Sequence, residues 1–279
     1  MNFHSDDYIN FEVKKHYIES LNWFDSEHIV GIFLQGSQNY GLDVEGSDID
    51  TKLIITPTFE EIVKASNPVS TTHIRDNDEH IDFKDVRLYI KTFLRQNPNF
   101  LEILFTPYLK LNTLYADLWQ ELIDNRETIA HYDCYANIKA LRGVAMEKYH
   151  SMEHRYPSKA DIIDKYGYDP KQLHHLLRIE DFMERYIKGE SYEECLIPSN
   201  PIFLSKIKAG LYGGDMLYTL EEAQQLANEA MYSIDTLYND IDTKKIPPIN
   251  TEIYDLLFDV QTRIIERSII NELQMRGAI

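Results

Sequence analysis

Residues 28–56 read HIVGIFLQGSQNYGLDVEGSDIDTKLIIT, and the folding of this stretch decides how the rest is organised. Ile29 to Leu34 is an apolar run closed by Gln35, Gly36 and Ser37, the pattern of a strand buried on both faces. The segment QNYGLDVEGS is rich in turn formers and reads as a loop. After it, Asp48-Ile49-Asp50 alternates and runs into apolar Leu53, Ile54 and Ile55, as a second strand would. Side chains alternate faces along a strand, so Asp48 and Asp50 are expected to project together while Ile49 enters the core. Two carboxylates about 7 Å apart on one rigid edge repel each other unless a cation sits between them. Mg²⁺ (or Mn²⁺), a hard ion that takes carboxylate and phosphate oxygens, suits that position.

The turn before the loop complements this pair. Glycine lets a backbone approach a ligand closely, and backbone N–H groups with a serine hydroxyl can hold phosphate oxygens. Gly36 and Ser37 are therefore a candidate phosphate clamp facing a candidate metal clamp, with Ser47 either a turn residue or a group that orients Asp48. Two-metal phosphoryl transfer calls for a third carboxylate near the nucleophile. In EHIDFKD, residues 79–85, Asp82 lies between Ile81 and Phe83 and would point opposite that apolar pair. Asp82 is the candidate third ligand. Asp85 is its rival, although it begins a helical pattern and reads equally as an N-cap.

GSQNYGLDVEGSDID followed by apolar residues, with a distant aspartate, resembles the signature of the DNA polymerase β-type nucleotidyltransferase superfamily. More narrowly, GSxxYG…SDxD, the stretch FLRQNPNFLEILF and the stretch YDPKQLHHLLR resemble a bacterial and phage family of nucleotidyltransferases, over roughly residues 28 to 235. That resemblance implies an α+β fold: a small mixed β-sheet domain with helices on one face, followed by an all-helical domain. It implies that Gly36 and Ser37 bind a triphosphate, that Asp48 and Asp50 hold metal, and that Asp82 completes the site and favours deprotonation of an acceptor hydroxyl.

Working outward, the flanking segments fit such a layout. Asp6 or Asp7 can cap a first helix to about residue 22, with Ile9, Val13, Tyr17 and Leu21 on one stripe. Residues 67–77 look irregular, EHIDFK reads as a third strand, and VRLYIKTFLRQ reads as a helix stopped at Asn97-Pro98. From Leu114 onward the periodicity is helical throughout. The expected domains are therefore 1–112, catalytic, and 113–279, helical.

Within DPKQLHHLLRIEDFMERY, Asp169 caps a helix on which Lys171, His175 and Arg178 fall at i, i+4 and i+7. A solvated face is the plain reading of such a stripe. In an acidic protein, the phosphates of a nucleoside triphosphate (NTP) are the functional reading, and the three residues are candidate nucleotide-binding groups.

Composition limits the partners. There are 28 Lys and Arg against 46 Asp and Glu, a net charge of −18 and a pI near 4.9. Such a surface repels a nucleic-acid polymer, though a local basic stripe could override it. The acceptor is therefore expected to be a small molecule or a protein before an RNA end. Two distant cysteines, Cys134 and Cys195, the lack of a signal-peptide pattern at the start, and the lack of a long apolar run fit a soluble, cytoplasmic protein without membrane contact. The expected function is metal-dependent transfer of a nucleoside monophosphate from an NTP to a hydroxyl. A nucleotide-sensing or partner-binding module without turnover is the alternative.

Overall fold

A computed structural model describes residues 3–212, 216–241 and 249–279. The described chain packs as two compact units. One takes in the described residues of 5–39, 48–133 and 248–279; the other takes in those of 1–4, 40–47 and 134–247.

The first unit holds a five-stranded mixed sheet in the order β3-β4-β2-β1-β5. Its strands are β1 (Ile29–Gln35), β2 (Asp50–Ile55), β3 (Ser70–Ile74), β4 (His80–Asp85) and β5 (Leu109–Leu111). β1 pairs antiparallel with β2 and β5, β2 pairs parallel with β4, and β3 closes the other edge antiparallel to β4. β1 and β2 form as their apolar runs demand. Gly31 is required where β5 crosses: a Cβ there would meet Leu111 Cδ2 at 2.9 Å and the Lys110 carbonyl at 3.2 Å. β3, expected to be irregular, is an edge strand. Its residues Thr71, Thr72 and His73 are mostly exposed, so no alternation of apolar residues marks it in the sequence.

Helix α1 (Asp6–Ser20) covers one face of the sheet. Ile9 and Val13 pack there with Ile32, Leu34, Leu53, Ile55 and Ile81. The cap is Ser5, whose side chain accepts from the Tyr8 N–H, rather than Asp6 or Asp7. The buried stripe also runs differently from the apolar reading. His16 and Ser20 are fully buried, whereas Tyr17 is half-buried and Leu21 exposed.

Between β2 and β3 lies α2 (Phe59–Val63), and after β4 come α3 (Val86–Leu94) and α4 (Pro98–Leu101). β5 is followed by α5 (Ala116–Asp124) and α6 (Arg126–Ala130). Phe33, on the sheet face opposite Ile32 and Leu34, meets the Trp119 ring of α5 at 4.9 Å, and Phe93 of α3 meets the same ring at 6.5 Å. The α+β class with a small mixed sheet stands as read; helices clad both faces of the sheet, not one.

The second unit contains α7 (Cys134–Ser151), α8 (Ala160–Tyr166), α9 (Pro170–Ile187), α10 (Tyr192–Leu196), α11 (Pro201–Ala209) and α12 (Leu220–Asn239). α9 is its axis: Leu173, Leu176, Ile179, Phe182 and Met183 are buried where α7, α10, α11 and α12 pack on it. The last helix, α13 (Thr251–Met275), returns to the sheet unit. Ser268 meets Thr56 at 2.6 Å between hydroxyl oxygens, and Glu272 accepts the Phe59 N–H at 2.7 Å. The two units therefore differ from a single cut at residue 112. The change in composition there marks where strands stop, whereas α5 and α6 still pack with the sheet and α13 rejoins it.

Candidate active site

β1 ends at Gln35, which pairs in register with Asp50, the first residue of β2. Gly36 follows with φ at +105°, a conformation that excludes a side chain without strain, and Ser37 opens a short 3-10 turn to Tyr40. The Gln38 side-chain amide donates to the Asp48 carbonyl at 2.7 Å. The Gly-Ser turn and the Asp-x-Asp segment are thus fastened together at one end of the sheet. Ile49 is buried between Asp48 and Asp50, which are both partly exposed.

Asp50 accepts the His80 backbone N–H at 2.8 Å, and the His80 ring Nδ1 lies 3.2 Å from the same oxygen. On β4, Asp82 pairs in register with Lys52, two residues beyond Asp50, so Asp50, Lys52 and Asp82 share one sheet face. The Lys52 ammonium donates to Asp82 Oδ2 at 3.1 Å, and the Thr72 hydroxyl donates to Oδ1 at 3.3 Å. Burial pulls the Lys52 pKa below its usual value, while Asp82 and, more weakly, Asp50 favour the charged form. The Lys52 ammonium also lies 4.3 Å from the centre of the Phe100 ring.

Asp85 is the N-cap of α3: its side chain accepts the Arg87 N–H at 2.8 Å and grips the Arg87 guanidinium. Asp82, by contrast, lies on the sheet face of Asp50 and Lys52. Its oxygens already accept Lys52 and Thr72, unlike the open metal ligand expected from sequence. Among the described residues, no three His, Cys, Asp or Glu side chains group as a metal-holding set.

Ser47 has a structural occupation. Its hydroxyl accepts the Val44 N–H at 2.9 Å and the buried Lys208 ammonium at 3.0 Å, which also reaches the Leu42 carbonyl. The Asp43 carboxylate in the same loop accepts the N–H groups of Phe3 and His4. The loop 40–47 therefore belongs to the helical unit.

That unit also carries the cationic stripe. On α9, Lys171 and His175 are partly exposed, and the Arg178 guanidinium lies 4.2 Å from the centre of the Tyr40 ring. His175 is held well below the ordinary imidazole pKa by burial, then by His174, Arg178 and Lys171. Beside it, His174 is fully buried with Nδ1 2.9 Å from the Leu204 carbonyl, and burial pushes its pKa to about 3. His174 is thus a neutral packing residue.

Lys52, Thr72, His80 and Gln38 escape a reading of sequence alone. A lysine within DTKLIIT carries one signal, its i+2 spacing from Asp50, but its partner on β4 is visible only once the strands are in register.

A family model described as RlaP: RNA repair pathway DNA polymerase beta family matches the sequence over residues 13–179. The chain belongs to this family. The RlaP family model spans β1 through most of α9, and so includes the Gly-Ser turn, the three aspartates and the stripe on α9. RlaP membership makes nucleotidyl transfer the general chemistry of the chain's family. No curated protein matches the chain. Among solved structures, a nucleotidyltransferase-like protein from Exiguobacterium sibiricum 255-15 is similar at 12% identity, over 83% of this chain and 74% of that one, with a TM-score of 0.30. Among the described residues, no helix is long and apolar enough to cross a membrane.

Proposed function

We propose that the chain transfers a nucleoside monophosphate from an NTP to an acceptor hydroxyl, releasing pyrophosphate. The observation that carries this reading is the Gln35–Asp50 register together with the Gln38–Asp48 bond, which set the Gly36-Ser37 turn beside the Asp-x-Asp carboxylates. The backbone of Gly36 and the Ser37 hydroxyl hold triphosphate oxygens. Asp48 and Asp50 are hard oxygen donors on one edge, a fit for Mg²⁺ or Mn²⁺. A bound divalent ion would neutralise charge on the triphosphate. Asp82, hydrogen-bonded to the Lys52 ammonium, favours loss of the acceptor proton. The acceptor oxygen attacks the α-phosphorus, the bond from that phosphorus to the bridging oxygen breaks, and pyrophosphate leaves with the electron pair. Lys171 and Arg178 supply cations for the outer phosphates, and His175, held neutral, supplies a hydrogen bond to them.

For the acceptor, two considerations pull apart. The net charge of −18 disfavours a long polymer, which places a small molecule or protein first. The family's description names an RNA repair pathway, which makes an RNA hydroxyl the acceptor to test first. A short RNA end needs few phosphate contacts and meets both.

The engagement of Asp82 by Lys52 and Thr72 favours one other reading, an NTP-binding module without turnover. Incubation with each labelled NTP, Mg²⁺ or Mn²⁺, and RNA ending in a 3′-hydroxyl or a 3′-deoxyribose separates the two. Pyrophosphate release that requires the 3′-hydroxyl and is lost in Asp48→Asn supports transfer to RNA. Release that ignores the RNA keeps the transferase and rejects that acceptor. NTP binding with no release supports the binding module.

A further inference from the structure

We propose that the site holds a single divalent ion, because the ammonium of Lys52 occupies the place at Asp82 that a second ion would need. This rests on the metal-dependent reading above and deepens it.

A two-metal site needs carboxylate oxygens that face both ions. Each oxygen of Asp82 already accepts one hydrogen bond, Oδ2 from the Lys52 ammonium at 3.1 Å and Oδ1 from the Thr72 hydroxyl at 3.3 Å, and the ammonium places a positive charge where a second ion would sit. The lysine charge is buried beside Asp82. The lysine side chain is 4% exposed and its head lies 4.3 Å from the Phe100 ring centre, with the Lys84 ammonium 4.5 Å from the same ring. An ammonium is a compact cation, costly to strand in a buried place once its partner is removed. A second metal ion at Asp82 would have to evict Lys52 into that situation. Asp50, by contrast, spends one oxygen on His80. One divalent ion together with the ammonium matches the charge of the three carboxylates.

The test is titration of the full chain with Mn²⁺ alone, reading free Mn²⁺ by electron paramagnetic resonance. The wild type is expected to bind one ion. Asp50→Asn should weaken it by about 10–100-fold, the scale of losing a group that supports a metal, while Asp82→Asn should leave its affinity within about twofold of wild type. Lys52→Met frees Asp82 and should raise the count to two; adding Asp82→Asn should return it to one. Lys52→Arg, which keeps a cation, should stay at one. Two ions in the wild type, a loss in Asp82→Asn equal to that in Asp50→Asn, or a folded Lys52→Met chain that still binds one, each overturns the proposal. If Lys52→Met does not fold, the wild-type count and Asp82→Asn decide. Absence of Mn²⁺ binding, or binding indifferent to Asp50→Asn, instead sinks the metal-dependent reading itself.

Discussion

Two polar clusters lie back to back on β2, and neighbouring residues of one strand serve them. On the α1 face, Thr51 meets the fully buried His16 at 2.9 Å, and His16 in turn meets Glu79 at 3.1 Å and Arg75 at 2.9 Å. On the opposite face, Asp50 and Lys52 meet His80 and Asp82. The first cluster is closed: the side chains of His16 and Glu79 are 0% and 8% exposed. The second is open: Asp50 is 33% and Asp82 25% exposed. Buried polar groups that satisfy one another specify a strand's position, whereas half-exposed carboxylates on a rigid strand can meet a ligand. The α1 side therefore fixes β2, and the other side uses it.

The sharpest way to break this contrast is to alter each face separately. Asp50→Asn should lower pyrophosphate release by roughly 10²–10³-fold, the scale on which loss of one preorganised electrostatic group acts, with the urea midpoint unchanged. Comparable release from the variant would show that the open face is not catalytic. His16→Ala should do the reverse. It strips Glu79 and Arg75 of a buried partner and should cost about 3 kcal/mol of stability in urea unfolding, while the folded chain keeps wild-type release within about tenfold.

Acid sharpens the comparison further, with a smaller effect. Burial alone would raise the Glu79 carboxyl, but His16, Asn77 and Arg75 outweigh it and hold its pKa at about 2, below the ordinary 4.5. The unfolded chain therefore takes up the proton first. The stability from Glu79 is complete above pH 4.5 and is lost as pH falls toward 2. Thermal melts across that window should show a steeper fall in wild type than in Glu79→Gln. Parallel curves would show that the closed cluster does not depend on this charge.

How much of this was legible depended on whether the signal was local. The strand–turn–strand from Ile29 to Ile55 could be read because an apolar run, a glycine turn and an alternating Asp-Ile-Asp are all neighbours in sequence. Asp82 was legible for the same reason, from Ile81 and Phe83 beside it. Lys52 and His16 were not. A lysine in a strand and a histidine in a helix ordinarily face solvent, and only the pairing of β2 with β4 and the packing of α1 show why these two are buried. Ser47 shows the converse: it stands next to Asp48 in sequence, yet its hydroxyl is spent on Val44 and Lys208. β3 lacked an apolar pattern, and the return of α13 had no local sign at all.

That return sets the order in which the protein can be completed during synthesis. His28 and Thr56, at the start of β1 and just after β2, find the Ser268 hydroxyl only in the last helix, and Thr56 lies 212 positions from it. At about 5–20 residues per second, a ribosome leaves these groups waiting on the order of 10–40 s. Residues 134–247 all emerge in that interval, so the first strands made wait for a helix that follows them.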